Sequence, residues 1–165
     1  MDMQNLFRFP NPVNEVSARL VAGAVAVAAW TTLLTGSPLL LVPLAYGFVA
    51  RVATGPTLSP LGQLVTRVIT PVLPLAPRPV PGPPKRFAQG IGAILTVTAA
   101  LLYFVVGQHA AALVLVAMVG AAATLESVFA FCIGCRIFDV LMRVHLIPAS
   151  VCEECANFGM ARSRG

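Results

Sequence analysis

The four cysteines of the chain fall into two Cys-x-x-Cys pairs, Cys132/Cys135 and Cys152/Cys155, with sixteen residues between them. Two chemistries use such a set. In the first, each pair clamps two vertices of a tetrahedral zinc ion, for which Cys-x2-Cys-x15–20-Cys-x2-Cys is a familiar spacing. A helix of about eleven residues between the pairs would be about 16 Å long, leaving enough chain to fold the second pair back. In the second, Cys132 and Cys135 are a working dithiol for redox or sulfur relay, and Cys152 and Cys155 resolve or relay. Zinc is the one cofactor either scheme implies, and inert thiols are the plain alternative to both.

The electrostatics around the sulfurs pull both ways. Cys132 follows a long apolar run, and the partially negative C-terminus of a helix there would disfavour a thiolate. Glu153 and Glu154 act likewise on the second pair. Arg136 acts in the opposite sense and could open a new helical turn. No tryptophan, proline or strand precedes Cys132, which separates it from a thioredoxin-like active site.

Glu126 is the one acidic residue inside an apolar run. A charge at mid-membrane costs about 2.5–3.5 kcal/mol on insertion scales, and Glu126 lies six residues before Cys132, about 9 Å below the rim. Arg19 and Arg51, at the ends of neighbouring runs, are its expected partners in an ion pair that locks helix packing. A proton acceptor beneath the thiols is the sharper role, although one continuous helix would turn Glu126 and Cys132 away from each other. His145 is expected to be solvated, because four cysteines already fill a tetrahedron, and His109 to be exposed in an outer turn. The lone Gly90-Ile91-Gly92 has neither a preceding strand nor a third glycine, so no nucleotide loop is expected.

The elements that must position these groups are set by composition. Of 165 residues, 58% are hydrophobic and 10% charged, and mean hydropathy is +0.86. Soluble domains run near 45–50% apolar and about 25% charged, so the solvent here is largely lipid. The runs are apolar on every face, unlike the alternation of a barrel strand. The expected fold is an all-α membrane protein in a single domain, with four transmembrane helices at about 18–35, 38–54, 87–106 and 109–131. Asn11-Pro12 is the expected cap and first position leading into span one. That span is expected to be retained rather than cleaved as a signal peptide, since the chain re-enters an apolar run directly after Gly36-Ser37-Pro38.

Between spans two and three, Ser59-Pro60 should open an interfacial helix over 60–70, with Leu61, Leu64, Val65, Val68 and Val72 on one face. A proline-rich strap follows over 71–86. After span four, the cysteine-bearing tail (132–165) carries a short amphipathic helix at about 136–146. Net charge is +5, but the basic residues stand singly at the flanks of apolar runs. The expected partner is therefore the lipid bilayer and not nucleic acid. All eleven lysines and arginines fall on one side of the predicted topology. The positive-inside rule then places both termini in the cytoplasm, with the protein in the inner (plasma) membrane. Four short helices with one acid offer little polar lining for a transporter unless several copies assemble.

The tract Asn14-Glu-Val-Ser-Ala-Arg19-Leu-Val-Ala-Gly23, then Glu126, Phe131-Cys132-Ile-Gly-Cys135 and Cys152-Glu-Glu-Cys155 resemble the bacterial domain-of-unknown-function family 4395, over about residues 11–156. The resemblance implies a small integral membrane protein with Asn14, Arg19, Glu126 and the four cysteines at marked positions. It also implies company with a cytoplasmic thioredoxin-like or sulfurtransferase protein, and so favours thiol chemistry. Asn14, Arg19 and Arg51 are assigned structural roles.

Overall fold

The computed structural model describes residues 9–152. The chain is mostly helical, and its first helix, α1, spans Glu15–Thr35. Its cap is Asn14, whose Oδ1 accepts the Val16 N–H at 3.0 Å, with Glu15 in the first turn where the helix dipole favours a carboxylate. The start therefore lies beyond the expected Asn11-Pro12. Residues 13 and 14 are held extended instead: β1 (Val13–Asn14) pairs antiparallel with β2 (Pro79–Val80), Val13 opposite Val80 and Asn14 opposite Pro79. Asn11 turns its Oδ1 to the Gly82 N–H at 2.9 Å.

After Gly36, a 3-10 turn (Pro38–Leu40) capped by Ser37 leads into α2 (Leu41–Thr54). Helix α3 (Pro60–Leu64) is capped by Ser59 as expected, its Oγ accepting the Gly62 N–H at 3.2 Å, and continues through a π-helical turn, Val65–Ile69. Of its expected apolar face, Val65 is buried in the core while Leu64, Val68 and Val72 stay exposed. The segment docks through Val65 and a 3.0 Å hydrogen bond between the Ser17 and Thr70 hydroxyls.

Helix α4 (Gly82–Leu101) begins five residues before the expected Phe87. Pro83 and Pro84 sit in its first turn, where a missing N–H costs no hydrogen bond, so the strap ends at Pro81 and Lys85 and Arg86 are helical. A π-helical turn (Leu102–Val106) and Gly107, at φ 75°, then reverse the chain into α5 (His109–Phe129). Helix α6 (Ile133–Arg143) starts three residues earlier than expected. The break comes at Ala130, whose φ of 54° ends α5 two residues short of the apolar run.

Helix α1 packs chiefly on α5, α2 on α4, and α4 also on α5 and α6. One core layer holds Val21, Val25, Phe48, Val119 and Ala123; a second holds Ala29, Leu41, Ala99, Ala112 and Val116. Gly92 serves this packing, because an added Cβ would overlap the Phe48 ring. Gly120 lets α5 approach Ala29 of α1, and Trp30 Nε1 donates to Thr124 Oγ1 across that contact at 3.0 Å.

Among the described residues three helices, Glu15–Thr35, Gly82–Val106 and His109–Phe129, are long and apolar enough to cross a membrane; Pro38–Thr54 is apolar but shorter. Their outward faces carry Leu34 at 86% and Val105 at 76% exposure, a surface suited to a lipid bilayer.

Candidate functional site

Cys132 lies at the start of α6 and not in the last turn of a span. Its backbone is extended (φ −90°, ψ 105°), and its Sγ accepts the Cys135 N–H at 3.3 Å, so the sulfur caps the helix. The electrostatic sign expected from the sequence is thereby reversed. The Cys135 N–H and the positive dipole end of α6 lie at the sulfur, the setting that favours a thiolate when the pair is reduced.

One turn later Cys135 stands beside it, with the two Cα atoms 5.2 Å apart and the two sulfurs joined in a disulfide. Both residues are half-buried. Gly134 between them sets α6 against α4. An added Cβ would lie 2.5 Å from Ala88 Cβ and 2.6 Å from Ala88 Cα. Phe138 is buried one turn on and meets Phe87 of α4 edge to face, ring centroids 5.6 Å apart. The close approach at Gly134 and this ring contact hold the disulfide over the bundle end.

Glu126 pairs with Lys85 in an ion pair between largely buried side chains. Neither of the expected partners, Arg19 and Arg51, takes this place; the early start of α4 brings Lys85 within reach instead. Arg19 caps the C-terminus of α5, with Nε and Nη2 donating to Ser127 O at 3.1 and 2.9 Å and Nη2 also to Val128 O at 3.2 Å. Arg51 is 6% exposed, donates from Nε to Gln89 Oε1 at 2.9 Å and from Nη1 to Ser59 Oγ at 3.4 Å, and lies 4.6 Å from the Phe48 ring centroid. Arg86 Nε donates to Val52 O at 3.0 Å. These contacts tie the start of α1, the end of α2, the start of α4 and the end of α5 together, so the cations and the disulfide share one end of the bundle.

A cavity of about 270 Å³ has Arg51, Gln89, Glu126, Cys132 and Ile133 in its lining. The break at Ala130 is what allows this. Glu126 and Cys132, which one continuous helix would turn apart, line the same space because the chain changes direction between them. Lys85, Gln89 and Gly134 do not stand out as site residues in the sequence. The prolines ahead of Lys85, legal in a first helical turn, are the available signal for it; Gln89 carries none.

Cys152 follows a 3-10 turn (Ala149–Val151), is 4% exposed and is itself disulfide-bonded. Val151 shares a cavity with Phe87 and Phe138, so the tail returns to the α4–α6 contact. Cys155, the fourth expected ligand or relay, lies outside the described residues. Among the described residues no three His, Cys, Asp or Glu side chains gather at metal-ligand spacing. Zinc ligation needs thiolates, and in the disulfide the Cys132 and Cys135 sulfurs are bonded to each other. His145 is exposed with φ 59°, and exposed His109 packs against the Tyr103 ring at 4.3 Å.

A family model described as Domain of unknown function (DUF4395) matches residues 13–143, and the chain belongs to that family. The match includes Cys132 and Cys135 and stops before Cys152. No curated protein and no solved structure is similar enough to match.

Proposed function

We propose that this DUF4395 chain is a four-span inner-membrane protein with both termini in the cytoplasm, whose Cys132/Cys135 pair cycles between dithiol and disulfide. In this role it exchanges electrons or sulfur with cytoplasmic carriers of the thioredoxin-like or sulfurtransferase kind. The observation that carries the reading is the position of Cys132. A half-buried sulfur that caps a helix and is bonded to the cysteine one turn on combines a stabilised thiolate with an adjacent resolving thiol.

Orientation rests on charge. Arg19, Arg51, Lys85 and Arg86 crowd the bundle end that holds the disulfide, and lysine and arginine are retained on the cytoplasmic side. Pro38–Thr54 serves as the fourth span. Its 17 residues rise about 25 Å as helix, a shortfall that local thinning of the bilayer absorbs at modest cost. In the cytoplasm a permanent structural disulfide is disfavoured, so on the proposed orientation a bonded Cys132/Cys135 pair would be one that cycles. The second pair relays to the first along α6.

Anaerobic purification with zinc and thiol counts tests this directly. Thiols that close to a disulfide on mild oxidation and reopen with a dithiol reductant support the reading. Stoichiometric zinc with all four thiols shielded until a chelator is added would replace it with a structural zinc module held by Cys132, Cys135, Cys152 and Cys155.

A further inference from the structure

The cavity beneath the disulfide has three properties that together name a class of ligand. First, its walls are mainly apolar and belong to the bundle interior: Phe48, Leu95 and Ala122 line it, as does Met118, which is 52% exposed on the outward face of α5. A molecule entering from that side arrives through lipid and must itself be apolar.

Second, a buried cation, Arg51, is part of its lining. Arg51 makes no direct ion pair among the described residues, and the charge that balances it is Glu126, which lines the same cavity. The Arg51 hydrogen bonds go to the neutral oxygens of Gln89 and Ser59. A guanidinium has five N–H donors, so an occupant bearing acceptor oxygens can take those that Gln89 and Ser59 leave, above all one that gains negative charge during reaction. Third, Cys132 lines the same cavity, so the occupant lies beside a two-electron couple.

We infer that this cavity binds the head group of a lipid-soluble quinone, which takes two electrons from the Cys132/Cys135 dithiol. The inference rests on the redox reading above and adds the second electron carrier. An apolar ring with carbonyl acceptors meets the first two requirements, and reduction by thiols meets the third. The step balances without a further reactant. The two S–H bonds break and one S–S bond forms. The two electrons and two protons convert both quinone carbonyls to hydroxyls, giving the quinol. Arg51 is a positioning residue that donates to a quinone oxygen and stabilises the negative charge developing there. Electrons from a cytoplasmic dithiol would thus reach the membrane quinone pool through one disulfide.

The test uses the full chain, reduced with dithiothreitol, desalted anaerobically and reconstituted into phosphatidylcholine vesicles. The probe is decylubiquinone, whose fully substituted ring resists arylation by thiols. The expected result is one quinol per disulfide formed, with no quinol from Cys132→Ser. Ala122→Trp, which fills the cavity without touching the sulfurs, should lower turnover about tenfold while the pair still titrates with dithiothreitol. Arg51→Gln should lower kcat/KM by about tenfold, the loss of one charged hydrogen bond, with partial rescue in Arg51→Lys. A pair that titrates reversibly with dithiothreitol yet reduces no quinone overturns this inference and leaves the redox reading intact. Quinone reduction insensitive to Ala122→Trp overturns the cavity as the site. A pair that does not titrate at all overturns the redox reading.

Discussion

The Lys85 ammonium is bonded to the Glu126 carboxylate, joining the first turn of α4 to the last turns of α5 beneath the disulfide. Neither charge is well solvated, so each depends on the other. Removing one member of such a pair costs more than the pair contributes, since the survivor remains buried and uncompensated. Glu126→Ala should lower unfolding free energy in detergent by about 3 kcal/mol. The double variant Lys85→Met/Glu126→Leu should recover most of it, and denaturation of the three proteins measures the difference.

Gly134→Ala places a methyl against Ala88 and must push α6 away from α4. Overpacking of this kind costs about 1–3 kcal/mol, seen as a lower melting temperature and faster hydrogen exchange in α6. Adding Ala88→Gly should restore part of the loss, which a general helix-propensity effect would not do.

The end of α6 that carries Cys132 makes the two thiols of the reduced pair unequal. Cys132 receives the Cys135 N–H and the helix N-terminus, whereas Cys135 lies inside the first turn. Iodoacetamide at neutral pH should therefore modify Cys132 about tenfold faster than Cys135, read by peptide mass spectrometry. Cys132→Ser keeps an oxygen at the cap and should preserve α6, while Cys132→Ala should cost about 1 kcal/mol more.

Asn14 holds two segments at once. Its Oδ1 caps α1 through Val16 N and also accepts the Arg78 N–H of the strap at 3.4 Å. Asn14→Ala should cost about 1–2 kcal/mol and speed proteinase K cleavage within residues 73–78. Asn14→Asp, which retains the acceptor, should leave both close to the parent.

How far the sequence reveals this molecule depends on the range of the interaction that decides each feature. The apolar runs around Val25, Leu44, Leu95 and Val116 are local signals, and the long helices lie where composition puts them. Ser59 caps its helix as expected, because Pro60 and the Gly62 N–H are its sequence neighbours. Asn14 takes the cap of α1 from Asn11 for a reason 65 residues away, the pairing of Val13 and Asn14 with Pro79–Val80. Ala130 breaks the last long helix with no glycine or proline to announce it, inside a run that stays apolar through Phe131. That single break moves Cys132 from a negative helix end to a positive one and swings it over the cavity that also holds Glu126. The partner of Glu126 differs from expectation by a similar mechanism: Lys85 belongs to a strap in the sequence and to α4 in the fold.

The most direct test of the central claim is a redox titration of the full chain against dithiothreitol ratios, read by mass-tagged alkylation of Cys132 and Cys135. A reversible two-electron transition of that pair, with a midpoint between about −300 and −200 mV where cytoplasmic dithiol carriers operate, is the predicted result. Two thiols that remain reduced across that range, or a bond that no physiological reductant opens, would contradict it.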